Sequence, residues 1–505
     1  MSGRDILRFF SPRWFIAIMG TGAVANILQL MDRGADGYLH GLAVALLTAS
    51  VLAFPLALAL LLGRLFIDRK MLWRELEHSS LVQFYSAIFI AASVCVTGLM
   101  KIPLGFVSPE TVMGIAKVLW FISLGFGLVL VVFTHWRIIT LNHGEIRRIL
   151  GFWFLPPVGL FVLVFAGNFL ALKTGDSGWI EPMAVLNAFL LGAALFLSLM
   201  LFPKFLLRGL AFPFPPRMDV IPSFTIGLAP VGVSIIALLS YLPLMSQAEA
   251  LAFAPLAVIG PIVKALTVLL WGFGFWWLLV TALITLTTFL RKGVPVTLGY
   301  WAFIFPPAVY TIATLFLAQA TKISFLAQTW TVLSWVVSIG WLVVMLLTLR
   351  GVINRSIFNL PPSFEEILED SADASVPHAQ LAKEQFKNKF PIFRVDIQKS
   401  EKYPEASILV EVLKTKISNH PVARHIADFD HYLHTKNIEG GMPKELLGAI
   451  VIMFCFGPQI EEARVLAVRP RSIGLAEFEN HFTITFMEAP SEKATDTMKE
   501  WIQSL

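Results

Sequence analysis

Ten uninterrupted apolar runs constrain this 505-residue chain more than any other feature of it. A helix rising 1.5 Å per residue needs about 20 apolar residues to cross a hydrocarbon core of about 30 Å, and in lipid only helices or closed barrels satisfy their own backbone. The runs lie near residues 12–31, 40–63, 81–100, 111–135, 153–173, 182–203, 220–245, 254–290, 299–320 and 324–349. An all-α membrane domain over residues 1–350 is expected. The eighth run is long and holds Gly260 and Pro261 near its start, so part of it is expected as loop or tilted end. Arg4, Arg8 and Arg13 lead straight into the first run with no small-residue cleavage site, so the first helix is expected to be retained.

Charge divides the chain in two. Only 14% of residues are charged, against roughly 25% in soluble proteins, which excludes a single soluble globule. Through Arg350 the chain carries 22 Lys and Arg against 12 Asp and Glu; beyond it, 17 against 22, so a net +10 meets a net −5. Two domains in different solvents follow. The pI near 9.1 arises from basic residues between the apolar runs, which orient a membrane protein and do not mark a nucleic-acid partner. Alternate loops hold seventeen Lys and Arg in one set and four in the other. The positive-inside rule therefore places both termini in the cytoplasm, with the chain multi-pass in the cell (inner) membrane. Cys95 and Cys455 are too few and too separated for a disulfide framework or a cysteine metal site.

Phe15, Phe84, Phe154, Phe224 and Phe303 recur at spacings of 69, 70, 70 and 79, and each interval holds two runs. The alternative, chance recurrence among 42 phenylalanines, stays open. Five helical hairpin repeats with equivalent odd-numbered helices are expected, arranged so that those helices ring a pore. Helix-loosening residues follow the aromatic in four repeats: Gly20 and Gly22, Pro156 and Pro157, Pro230, and Pro306 and Pro307. Kinks are expected there. The helix after Phe84 has no such proline, so the repeat is imperfect.

No Asp or Glu falls inside the ten runs. Proton pumps and cation carriers place carboxylates at membrane depth, so a path without them suits anions. Candidate pore-lining residues are Phe15, Gly20, Thr21, Gly22, Phe84, Ser86, Phe154, Phe224, Thr225 and Phe303, with Asn26, Ser93, Asn168, Ser234 and Thr311 on the same helices. Hydroxyls, amides and freed backbone N–H groups line an anion path without a fixed charge that would trap the ion. Close helix packing in lipid uses the same residue types, and both roles stay open. Lys117 and Lys264, just inside their runs, either snorkel to headgroups or make an electropositive outer vestibule.

Residues 351–390, with Pro361, Pro362, Glu365, Glu366 and Asp370, read as a linker. Residues 391–505 read as a soluble α+β domain, with strands at Ile392–Ile397, Ala449–Phe456 and His481–Phe486 and helices over Ala406–Ser418 and Ser491–Ile502. His420, His425, Asp428, Asp430, His431 and His434 have ligand chemistry, but no cysteine or HExxH pattern accompanies them, and structural histidines are expected. No metal or other cofactor is expected. Arg469 to Ser472 forms a basic turn that either catches an anion or is solvated.

Phe10-Ser11-Pro12-Arg13-Trp14-Phe15 followed by Met19-Gly20-Thr21-Gly22 resembles the opening signature of the tellurite-resistance and dicarboxylate transporter family, and Trp301 to Pro306 resembles its ninth helix. The resemblance covers residues 1 to about 350 and is closest to the malate and sulfite branch. It implies one pore per subunit, a homotrimer, and an aromatic gate that maps to Phe305, where Pro307 departs from the pattern by doubling the proline. The tail resembles small bacterial domains of no assigned activity. The expected function is transport of small anions, C4-dicarboxylates of the malate type or sulfite, across a lipid bilayer. The competing class is a membrane-anchored sensor or enzyme whose activity resides in the tail.

Overall fold

The computed structural model describes residues 10–32, 37–77, 81–140, 149–211, 218–248, 255–292, 297–354, 356–358, 381–399, 403–438, 441–457, 463–503 and 505. Arg4, Arg8 and most of the expected linker, residues 359–380, lie outside them. Two units form, residues 1–371 and 372–505, each with its own apolar core.

Ten candidate spans make up the first unit. Its helices are α1 (Trp14–Met31), α2 (Tyr38–Ile67), the short α3 (Arg69–Glu77), α4 (Ser86–Lys101), α5 (Pro109–Thr140), α6 (Leu155–Thr174), α7 (Ser177–Ala211), α8 (Ala229–Met245), α9 (Leu256–Lys292), α10 (Phe305–Thr321) and α11 (Ser324–Ile353). Each odd-numbered span packs against the span after it, which gives five hairpins. The odd spans also pack on one another in order, α1 on α4, α4 on α6, α6 on α8, α8 on α10 and α10 back on α1, so the ring is closed. Burial separates the two sets: 72 to 94% of each odd span is buried, against 17 to 33% of each even one. The even helices face outward with side chains such as Leu52, Phe189, Leu269 and Val332, an apolar girdle for lipid.

The prolines do something other than kink continuous helices. Four odd spans begin as 3₁₀ turns, at Val82–Tyr85, Gly151–Phe154, Met218–Leu228 and Leu298–Phe303, before an α-helical body. In α6, α8 and α10 proline stands at the first or second helical position, where a missing N–H breaks no internal bond and the fixed φ suits the helix. α1 runs unbroken through Gly20 and Gly22. Those glycines serve close approach: a Cβ on Gly20 would meet the Trp301 ring at 2.9 Å, and one on Gly22 would meet Val94 at 2.8 Å. The eighth span is one helix through Gly260 and Pro261, a proline within its first turns.

The second unit is a six-stranded antiparallel sheet in the order β1-β2-β6-β5-β4-β3, with β1 (Ala382–Phe386), β2 (Phe390–Gln398), β3 (Ala423–Asp430), β4 (Gly448–Phe456), β5 (Arg471–Glu477) and β6 (His481–Met487). Alternation sets its buried face. Phe482, Ile484 and Phe486 point inward from β6, and Leu475 pairs with Ile484. Helices α12 (Ala406–Asn419) and α14 (Glu492–Gln503) cover that face, α12 through Leu409, Leu413 and Ile417. The short α13 (His431–Asn437) follows β3. Strand β1 falls inside the segment expected as linker, which therefore ends before residue 382. Its sequence, AKEQF, is exposed throughout and carries no alternating apolar signal.

Candidate anion pathway

The five inner helices enclose a cavity to which each contributes: Asn26 from α1, Thr97 from α4, Phe165 from α6, Ile236 from α8 and Val309 from α10. Among the described residues, no carboxylate lines it. It lies toward the C-terminal ends of these helices. There Lys101, the last residue of α4, reaches its ammonium over the Phe169 ring, with Nζ 4.0 Å from the centroid.

None of the ten sequence-derived pore candidates lines this cavity. Thr21 faces the outer ring, its Oγ1 accepting from Trp341 Nε1 at 3.1 Å. Phe154 packs outward on Phe202 and Phe205 of α7, and Phe224 also packs on Phe205. Phe15 stacks edge-on to Phe54 of α2. Phe84 lies beside Phe152 and under the Arg13 guanidinium, linking the starts of three odd spans. Thr225 is buried in the 3₁₀ turn before α8. Ser86 opens α4, and its buried Oγ has no hydrogen-bond partner among the described residues. Phe303 is half-buried near Tyr300.

Phe305 differs from these. It begins α10 and is almost fully buried. Val309, Ile312 and Phe316 line the cavity at offsets of 4, 7 and 11 from it, the repeat of one helix face, so Phe305 lies on the same stripe one turn before the cavity. Phe303, in the preceding 3₁₀ turn, is out of that phase.

Several other polar candidates hold helices together. Asn168 donates to Ser240 Oγ at 3.0 Å and accepts from Asn187 at 2.8 Å, joining α6, α8 and α7. Ser93 meets Ser123 at 2.5 Å between α4 and α5. Lys117 stacks over Trp179, and Lys264 is exposed on α9, so both stand on the outer helices away from the axis. Lys101 reads in sequence as a loop cation, and Phe165, Phe169 and Phe316 carry no polar signal; the pore-facing signal available is the Val94, Thr97 and Lys101 spacing of 3 and 4 along one helix face.

In the tail, His420 packs against Phe456 and Trp501, and its Nδ1 accepts from the Val422 and Ala423 amides. His425 bonds Asp428 at 2.7 Å, while His431 and His434 both contact the Phe429 ring. Among the described residues no three His, Cys, Asp or Glu side chains converge as a metal site. Arg471 spends Nη2 on the carbonyls of Met487 and Glu488. Partial burial holds its guanidinium below the usual arginine range.

A closed ring of hairpins with an acid-free axial cavity defines a multi-pass membrane transporter or channel. The chain belongs to the SLAC1 family of voltage-dependent anion channels, which it matches over residues 9–349. Residues 381–505 match a domain family of unknown function, DUF6858. An uncharacterized transporter of Methanocaldococcus jannaschii is 28% identical over 360 residues, covering 70% of this chain and 96% of the relative. A sulfite efflux pump of Trichophyton rubrum is 26% identical over 361 residues, covering 69% of this chain and 92% of the pump. The protein is thus a membrane anion transporter or channel of the tellurite-resistance and dicarboxylate transporter group, and the enzyme class is set aside.

Proposed function

We propose that anions cross along the axis of the inner ring and that the substrates are small oxyanions, sulfite foremost, or C4-dicarboxylates of the malate type. The observation that carries this reading is the cavity itself: five buried helices contribute to it, and none brings a carboxylate. A desolvated path without fixed negative charge favours an anion through hydroxyl, amide and backbone donors. The name of the sulfite efflux pumps supports sulfite as first choice.

The gate we assign is Phe305, which stands one turn before Val309 on the α10 face that lines the cavity; in this reading its ring blocks the axis until it rotates. Both termini are cytoplasmic in this reading, from the loop charges, which makes the C-terminal ends of the inner helices the outer mouth. The working unit is a homotrimer with one pore per subunit in the inner membrane. The tail is a separate domain, dispensable for flux.

Proteoliposomes loaded in turn with sulfite, malate, nitrate and chloride test the reading. Flux of sulfite or malate above protein-free vesicles is expected; vesicles of properly inserted protein that pass none of the four would reject it. Truncation after Phe358 is expected to leave that flux intact.

A further inference from the structure

The rings of Phe169 on α6 and Phe316 on α10 lie with centroids 6.1 Å apart. Their helices are not neighbours in the inner ring, which runs α4, α6, α8, α10, α1. The two side chains therefore meet across its axis, and both line the cavity at its C-terminal end. Lys101 comes from a third helix, α4, with Nζ 4.0 Å from the Phe169 centroid and 5.7 Å from that of Phe316. Three of the five inner helices thus meet at one mouth through a single cluster.

The chemistry of this cluster is unlike that of a packed core. An ammonium has three N–H donors, and an aromatic face attracts its charge without giving those donors ordinary acceptors. Lys173, four residues past Phe169 on α6, adds a second cation on the same side of the ring. A carboxylate, sulfite or other oxyanion arriving here offers Lys101 short charge-assisted hydrogen bonds, which are stronger than contact with a ring. Further in, Thr97 and Asn26 also line the cavity, though Thr97 Oγ1 donates to the Ser93 carbonyl and Asn26 Nδ2 to the Gly22 carbonyl, which leaves Lys101 as the cation that lines it.

We propose that Lys101, Phe169 and Phe316 form a second, anion-responsive gate, in which a captured anion draws the ammonium off the two rings and lets them part. This proposal rests on the axial pathway above. It is distinct from the Phe305 gate, which lies eleven residues earlier on α10, about 16 Å along a helix. Phe169 and Phe316 are half-buried, whereas Phe305 is almost fully buried.

The test uses the full chain in proteoliposomes, with flux measured against anion concentration for whichever of sulfite, malate, nitrate and chloride the wild type carries best, normalised to correctly folded protein. Lys101→Gln is expected to raise the half-saturating concentration about tenfold, and Lys101→Arg, which keeps the charge, to stay within about threefold. Phe316→Ala is expected to raise flux at low anion concentration. In the Phe316→Ala background, Lys101→Gln is expected to lose most of its effect, because the cross-axis ring pair it unlocks is already broken. Saturation of Lys101→Gln at wild-type concentration overturns the proposal, and so do independent effects of the two substitutions. A wild type that carries none of the four anions removes the pathway and the gate together, whereas a conducting wild type with an inert Lys101 removes only the gate.

Discussion

Arg64 and Glu75 form a two-pronged ion pair, Nη2 to Oε1 at 2.7 Å and Nη1 to Oε2 at 3.1 Å, with side chains only 1% and 3% exposed. Tyr85 donates to Glu75 at 2.7 Å, and Arg64 also donates to the Phe10 carbonyl at 2.9 Å. The end of α2, the short α3, the start of the third span and the approach to α1 are thereby tied at one point. This network clamps the N-terminal mouth of the inner ring, opposite the Lys101 cluster.

Removing one partner leaves the other charge buried and unpaired, which typically costs about 3 to 5 kcal/mol. Glu75→Ala is therefore expected to lower the melting temperature of detergent-purified protein strongly, while Tyr85→Phe, which deletes a single hydrogen bond, costs about 1 to 2 kcal/mol. Equal effects of the two substitutions would count against the clamp.

Gly232 on α8 and Gly192 on α7 make a matched pair of opposite sign. A Cβ on Gly232 would stand 2.7 Å from the Tyr310 backbone nitrogen of α10, whereas one on Gly192 meets nothing within 4 Å. Backbone cannot swing aside, so Gly232→Ala is expected to destabilise the ring by about 1 to 3 kcal/mol. Gly192→Ala, in an open helix interior, is expected to be neutral or to stabilise by up to about 1 kcal/mol. Thermal melting of both variants checks this.

What the sequence made legible follows from which physical signal each element carries. Ten spans showed because lipid demands long apolar runs, and the hairpin repeat showed because Phe15, Phe84, Phe154, Phe224 and Phe303 mark the starts of equivalent spans. Strand β6 was readable from strict alternation in His481–Met487. Strand β3 was not: as an edge strand it leaves Arg424 and Ile426 exposed, and a register shift between His425 and Ala427 breaks its period. Pore-facing positions were the hardest to see. When nearly every residue of a helix is buried, apolarity carries no phase, so Thr21, bonded to the outer helix, and Thr97, in the cavity, look alike in sequence.

In the tail, Asp428 receives hydrogen bonds from His425 at 2.7 Å and Lys414 at 2.9 Å. Partial burial pushes its carboxyl up, but these two partners outweigh it and hold the group below the usual aspartate range, while the same contact with Glu411 and Asp428 raises the Lys414 ammonium. A depressed carboxyl contributes stability in full above the ordinary aspartate value near ~4 and loses it as pH falls through the lower folded value. The isolated 381–505 domain, which has its own core, is expected to melt progressively lower as pH drops from about 5 toward 2. Asp428→Asn is expected to start lower at neutral pH and to show a flatter acid limb. Parallel melting curves for the two proteins would contradict the assignment.

The gate prediction turns on helix phase. Phe305, Val309, Ile312 and Phe316 share one face of α10, and the last three line the cavity, so truncating Phe305 is expected to open space on the axis. Phe303 sits outside that phase and contacts Tyr300. If Phe305 were only a core aromatic, Phe305→Ala would cost about 3 to 5 kcal/mol and reduce folded protein without raising flux per molecule. A gate predicts the opposite sign: fewer molecules in the membrane, each passing more anion. Flux per correctly assembled protein is therefore expected to rise in Phe305→Ala and to stay at the wild-type level in Phe303→Ala. A rise only in Phe303→Ala would move the gate two residues toward the N-terminal mouth, and no rise in either would remove the aromatic gate from this ring.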